Sequence, residues 1–154
     1  MPFANQSTQT YLAFDYGERR IGVAVGQAVT GTATPIVTLG AKHTAPDWDA
    51  IKSLIHEWEP DALIVGLPTI TDRSSQRLAS KITAFCQALR ARFARPVHTI
   101  DESFTSTEAY YQLRTQRRLG RKRVLTKEDI DRWAAAIILE SWMATNEHDM
   151  VASR

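Results

Sequence analysis

The sequence predicts an α/β domain on a mixed five-stranded sheet, with an antiparallel three-strand meander at one side, parallel strands at the other, and flanking helices. Three observations predict it. Three short apolar runs with only brief connections fill the first forty residues or so; two further apolar runs are each preceded by a helical pattern; and the chain closes with two more helical patterns.

Tyr11-Leu-Ala-Phe-Asp15 reads as a buried strand, Tyr16-Gly-Glu-Arg-Arg20 as a turn, Ile21-Gly-Val-Ala-Val25 as a second strand and Pro35-Ile-Val-Thr-Leu39 as part of a third. Gly17 and the short connection make the first two a hairpin, which the third extends. Such brief connections force antiparallel pairing, because a parallel return needs a long crossover. The period then changes. Trp48, Ile51, Leu54, Ile55 and Trp58 fall on one helical face and Pro60 marks the stop. Ala62-Leu-Ile-Val-Gly66 is nearly all apolar, as a strand covered on both faces is. Leu78, Ile82, Phe85 and Leu89 define a second amphipathic helix, and Val97-His-Thr-Ile-Asp101 the last strand. Thr105-Ser-Thr-Glu108 has capping-box spacing and opens a third helix through Leu113. A basic, glycine-containing loop follows. The final helix begins near Lys127, with Ile130, Trp133, Ala134, Ile137 and Ile138 on its buried side. Residues 1–10 are polar and read as a flexible tail ahead of a single domain, 11–148.

With 154 residues, 44% of them hydrophobic and 23% charged, the chain has the composition of one ordinary globular domain rather than a disordered or fibrous protein. No apolar run approaches the roughly 20 residues needed to span a bilayer, and the N-terminus lacks the cationic start and apolar stretch of a signal peptide. The expected compartment is the cytoplasm, with no membrane partner. The one cysteine, Cys86, excludes an intramolecular disulfide and falls on the apolar face of a helix, as a buried thiol does. His43, His56, His98 and His148 have no metal-ligand spacing.

Carboxylates at the ends of buried strands are informative, because an uncompensated buried charge is costly. Asp15 ends the first strand, and Asp101 and Glu102 end the last. In such a sheet those ends gather on the edge where open α/β sheets bind ligands. Asp131 adds a fourth carboxylate near the start of the final helix, followed at helical spacing by Ala134, Ala135, Ile138 and Trp142, so it borders the inward face. Gathered carboxylates repel one another, and a hard divalent cation removes the repulsion. Oxygen ligands without Cys or His favour Mg²⁺ or Mn²⁺, and a pair of such ions promotes in-line displacement at phosphorus. Taken singly, each acid also has a structural reading: Asp15 as a turn cap, Asp131 as a first-turn acid at the positive end of a helix.

Leu12-Ala-Phe-Asp-Tyr-Gly-Glu-Arg-Arg-Ile-Gly-Val-Ala-Val25 resembles the opening signature of the YqgF family, also called Holliday-junction-resolvase-like or pre-16S ribosomal RNA nucleases, of RuvX type. Thr34-Pro-Ile-Val-Thr-Leu39, Ile64-Val-Gly-Leu-Pro68, Asp101-Glu-Ser-Phe-Thr-Ser106 and Ile130-Asp-Arg-Trp-Ala-Ala-Ala-Ile-Ile-Leu-Glu140 resemble, in order, its third strand, central strand and loop, acidic strand end and last helix. The resemblance implies a ribonuclease-H-like fold, a phosphodiester-cleaving activity maturing the 5′ end of 16S ribosomal RNA, and metal ligation by Asp15, Asp131 and one of the Asp101–Glu102 pair. Neighbours in a strand face opposite ways, so one of that pair reaches the metals; analogy with related resolvases favours Glu102. Arg20 matches the family's basic position after the first strand and Arg19 its looser neighbour, both as phosphate contacts. Two stretches depart from the family: Ser103 stands where an arginine is common, and Thr-Ile-Thr-Asp72-Arg-Ser-Ser-Gln76 replaces a loop that usually carries Asp-Gly.

Net charge is only +2, but Arg114, Arg117, Arg118, Arg121, Lys122 and Arg123 form a run without an acid, extended by Lys127 and Arg132. Beside a metal site, such a run suits a polyanion, since phosphate contacts release counterions; the alternative is a solvated loop that aids solubility. The expected partner is structured precursor ribosomal RNA or branched DNA, bound by a monomer or weak homodimer. The competing functions are a DNA junction resolvase on the same carboxylates and a non-catalytic nucleic-acid-binding factor in transcription or ribosome assembly. Asp15-Tyr-Gly17 also fits a phosphate-binding hairpin of actin-like kinases, but the chain is too short for the two lobes such enzymes need.

Overall fold

The computed structural model describes residues 9–43, 45–101 and 126–152. Within them lie five strands, β1 (Thr10–Tyr16), β2 (Arg20–Gln27), β3 (Thr32–Gly40), β4 (Ala62–Leu67) and β5 (Val97–Asp101), and three helices, α1 (Trp48–Trp58), α2 (Arg73–Phe93) and α3 (Lys127–Ala152). The strands form one sheet in the order β3-β2-β1-β4-β5. β1 pairs antiparallel with β2, and β2 with β3, while β4 runs parallel to both β1 and β5. This is the mixed sheet expected: the tight β1–β2 and β2–β3 turns make the meander, and α1 and α2 are the crossovers that parallel pairing requires. The third predicted helix, opening at Thr105 and ending at Leu113, lies outside the described residues.

The two faces of the sheet are separate cores. On one, Leu12, Phe14, Val23, Leu63 and Val65 pack against Ile51 and Ile55 of α1 and Ile82, Phe85, Cys86 and Leu89 of α2. On the other, Tyr11, Ala13, Ile64 and Ile100 pack against Ile138, Leu139 and Met143 of α3, and Ala24 against Ala135 and Ala136. β1 and β4 are therefore covered twice, which explains their near-continuous apolar runs. Cys86 is buried and unbonded, and burial pushes its thiol pKa up, as an inert core thiol requires. Among the described residues no helix is long and apolar enough to cross a membrane.

Local signals set the helix limits. Asp47 caps α1, accepting from the Ala50 amide at 3.2 Å, and Glu59 in a left-handed conformation (φ 44°) ends it ahead of Pro60. Asp72 and Ser75 cap α2 reciprocally: the Ser75 amide donates to Asp72 Oδ1 at 2.8 Å and the Asp72 amide to Ser75 Oγ at 3.1 Å. The 69–76 stretch that departs from the family pattern thus does local work as a helix start. Thr126 and Asp129 form a similar box at the head of α3, each amide donating to the other side chain at 3.1 Å.

The buried side of α3 differs from the one expected. Trp133 is 39% exposed, and the contacts are made by Ala135, Ala136, Ile138, Leu139 and Met143. The reason lies in the opposing strand. On β2, Gly22, Ala24 and Gly26 share the α3-facing side, and the helix settles almost directly on the strand backbone. A Cβ at Gly22 would stand 2.0 Å from the Asp131 carbonyl oxygen, and one at Gly26 2.8 Å from Leu139 Cδ2. Small helix residues fit such an approach and an indole does not. The helix also holds the outer strand: Thr38 Oγ1 of β3 donates to the Glu128 carbonyl at 2.5 Å, and the Ala33 amide to Glu140 Oε2 at 2.9 Å.

Overpacking a filled core costs about 1–3 kcal/mol and sometimes more. Gly22→Ala should destabilise the protein by about 3 kcal/mol or more, because the obstacle is backbone that cannot rotate away. Gly40→Ala, with nothing within 4 Å, should be near neutral. Denaturant unfolding of the two variants beside the parent checks the contrast, and equal midpoints would refute the tight seating of α3.

Candidate active site

The parallel strands β1, β4 and β5 direct their carboxyl ends to one edge of the sheet. Asp15 is the penultimate residue of β1. Side chains alternate along a strand, so Asp15 shares the α3 side with Tyr11 and Ala13. Its direct partner across the β1–β2 pair is Gly22, the glycine on which the Asp131 backbone rests. The start of α3 therefore occupies the position that a side chain facing Asp15 would take, and such facing positions lie about 5 Å apart at Cβ. The backbone at Asp131 thus lies on the face and at the edge where Asp15, more than a hundred residues earlier in sequence, leaves β1. Both are half-buried.

Arg20 joins them. It begins β2 with the same parity as Gly22, and its Nε donates to Asp131 Oδ2 at 2.7 Å. That hydrogen bond, and then the charge of Asp131, push the Arg20 pKa above its ordinary value. The residue expected to contact phosphate is thus also a carboxylate partner. Arg19, one residue earlier, is exposed and lines a cleft on the other face with Tyr16 and Trp48.

Asp101 is not brought to this face. Ile100 packs with the α3-side core and His98 stacks on Trp142 of α3 at 5.2 Å, so Asp101 has the opposite parity. It is exposed and accepts from Thr69 Oγ1 at 3.3 Å. Glu102 lies outside the described residues, as do Arg114, Arg117, Arg118, Arg121, Lys122 and Arg123. Among the described residues no three His, Cys, Asp or Glu side chains are grouped to hold a metal ion. The two acids that the strand end and the helix start bring to this face, Asp15 and Asp131, offer oxygen alone.

One acid near the site was missed by sequence reasoning. Asp129 of α3 is charged and buried, only 2% exposed, and is paired with Arg132 as well as with the Thr126 amide. Arg132, expected to extend the basic run, is thereby engaged with its own helix. Thr126-Lys-Glu-Asp129 has the same capping spacing as Thr105-Ser-Thr-Glu108, and that was the available signal.

Comparison with known proteins bears on the family and the fold. The RuvX family model, described as Holliday junction resolvase, matches residues 9–145. A protein of Azotobacter vinelandii named "Putative pre-16S rRNA nuclease" is 44% identical over 134 residues, covering 86% of this chain and 92% of its own. One of the same name from Methylococcus capsulatus is 42% identical over 144 residues, 94% of each chain. Among solved structures, T. thermophilus RuvC in complex with a Holliday junction substrate superposes with a TM-score of 0.58 at 14% identity, covering 90% of this chain and 96% of that one. The fowlpox virus Holliday junction resolvase gives 0.53 at 14% identity, covering 89% and 99%. The fold is ribonuclease-H-like, the activity is that of a nuclease hydrolysing phosphodiester bonds, and the chain belongs to the RuvX family of Holliday junction resolvases.

Proposed function

We propose that cleavage takes place where Asp15 and Asp131 meet, that Glu102 joins them in holding Mg²⁺ or Mn²⁺, and that the substrate is precursor 16S ribosomal RNA, cut to mature its 5′ end. The observation that carries the reading is the seating of the Asp131 backbone on Gly22, opposite Asp15. Facing carboxylates repel, and a half-buried edge weakens the solvent screening that would otherwise relieve them. An all-oxygen donor set suits a hard divalent cation rather than Zn²⁺. Such ions, when bound, activate water and stabilise charge on the leaving oxygen. The opposite parity of Asp101 favours Glu102 as the third ligand, leaving Asp101 a supporting role beside Thr69.

Arg20 fixes one Asp131 oxygen and so orients the other. A guanidinium carries five N–H donors, so holding Asp131 through Nε is compatible with a phosphate contact by the same residue. Arg19, Arg114, Arg117, Arg118, Arg121, Lys122 and Arg123 supply the remaining cations for the RNA backbone. The names carried by the relatives support RNA as substrate. The family description favours a second reading, a four-way DNA junction. A substrate of ribosomal RNA makes the cytoplasm the working compartment, for a single domain of residues 11–148 acting as a monomer or weak homodimer.

The decisive assay compares precursor ribosomal RNA with a four-way DNA junction, with Mg²⁺ or Mn²⁺ supplied. RNA should be cut preferentially, and Asp15→Asn and Asp131→Asn should each abolish cutting while far-UV circular dichroism stays unchanged. Full activity in either variant would overturn the site assignment, and preferential junction cleavage the substrate assignment. Outer partners of metal ligands are worth roughly 10–100-fold in metal affinity or activity. Arg20→Gln should therefore weaken Mn²⁺ binding, measured calorimetrically, by a factor in that range, with Arg20→Lys in between; unaltered affinity would show that the ion pair is incidental. Replacing Arg117, Arg118, Arg121 and Lys122 together by alanine should flatten the dependence of log K on log salt by up to about three units, and an unchanged slope would remove that segment from the interface.

A further inference from the structure

The cleft across the sheet from the carboxylates has no part in the chemistry above. We infer that it holds an unpaired base of the same substrate strand, an assignment that rests on the nuclease reading for its source of nucleic acid but on residues other than the carboxylates for its recognition, Arg19 serving both. The cleft encloses about 550 Å³ between the β1–β2 turn and α2. Its walls are aromatic and aliphatic: Tyr16, Trp48 and Phe85, with Ala88 of α2 along one side. The aromatic rings brace one another, Phe85 lying 5.0 Å from Tyr16 and 5.6 Å from Trp48 between centroids, and the Arg92 guanidinium sits 4.2 Å from the Trp48 ring centre. An apolar slot of fixed shape is thus open to solvent, and its rim is basic. Lys81 pairs with Glu18 at 2.9 Å, and Lys81, then Arg77 and Arg19, draw the Glu18 carboxyl below its ordinary pKa. Three cations around one acid leave net positive charge beside an aromatic slot. Bases against aromatic walls with phosphates on a cationic rim are how single strands are held without sequence preference.

Position links the cleft to the active edge. Tyr16 directly follows Asp15, and pleating sends the two to opposite sides of β1. Arg19 and Arg20 diverge likewise, one to the cleft and one to Asp131. A strand lying on the carboxylates has only to pass the end of this hairpin to reach the cleft, a path open to a flexible single strand and closed to a continuing duplex. The structure therefore assigns the enzyme a preference for a cleavage site flanked by unpaired nucleotides.

The test uses the full-length Asp15→Asn protein in a chelating buffer and measures its affinity for a blunt RNA hairpin and for the same hairpin with a short single-stranded extension. The extension should tighten binding roughly tenfold. Ala88→Phe, which fills the slot from the helix side, should cancel that gain and leave blunt-hairpin affinity within about twofold. A 4-thiouridine in the extension should crosslink to the peptide containing Tyr16 or Trp48 in the protein without the Ala88 change, so the outcome does not depend on that variant folding. No gain from the extension, a gain that survives Ala88→Phe, or crosslinks confined to other peptides would each overturn the proposal. Should Asp15→Asn still cleave RNA when metal is restored, the catalytic assignment fails while the extension-dependent binding stands, so the two readings fail separately.

Discussion

The close seating of α3 on β2 at Gly22 is the contact on which the site depends. Only a residue without a Cβ lets the helix backbone approach so near, and only that approach carries Asp131 to the edge where Asp15 emerges from β1. The remainder of the α3 face follows the same constraint: alanines opposite Ala24, then larger side chains where the strand pair leaves room. Packing and chemistry are here a single requirement. The glycine is a component of the proposed active edge although it carries no functional group.

Charge at that edge is arranged as well as concentrated. Arg20 tethers Asp131 through Nε, while Asp129, two residues away on the same helix, is satisfied by Thr126 and Arg132 and turned into the interior. The two aspartates of one helical turn therefore have different fates, one facing the edge and the other locking the helix start. A rigid helix start fixes where Asp131 sits, since a side chain is placed no better than the backbone that bears it.

Much of this was legible in the sequence. Brief turns between the first three apolar runs leave antiparallel pairing as the only solution, and the switch to helical period before β4 and β5 leaves parallel pairing as the next, so the sheet follows from chain connectivity. Asp15 and Asp131 were legible as strand-end and helix-start acids. What escaped needed the third dimension. Trp133 lies on an apolar stripe, but which part of the stripe meets the sheet is decided by the small residues of β2. That Asp101 faces away from α3 turns on parity, and parity has meaning only once Ile100 is known to face α3. Arg20 reads as a phosphate ligand until the register of β2 sets it beside Asp131. Asp129 had a spacing signal that was overshadowed by the neighbouring acid.

The outer rim of β3 shows how the sheet ends. Pro35 has no amide to offer, the pairing with β2 slips by a bulge between Val23 and Ala24, and the Ala33 amide is taken by Glu140 from α3. A second chain seeking to extend the sheet along this rim would meet a missing donor, an altered twist and a carboxylate in its way. The helix that carries Asp131 therefore also blunts the free lateral border of the sheet at β3, where weakening its hold would uncover unpaired backbone groups.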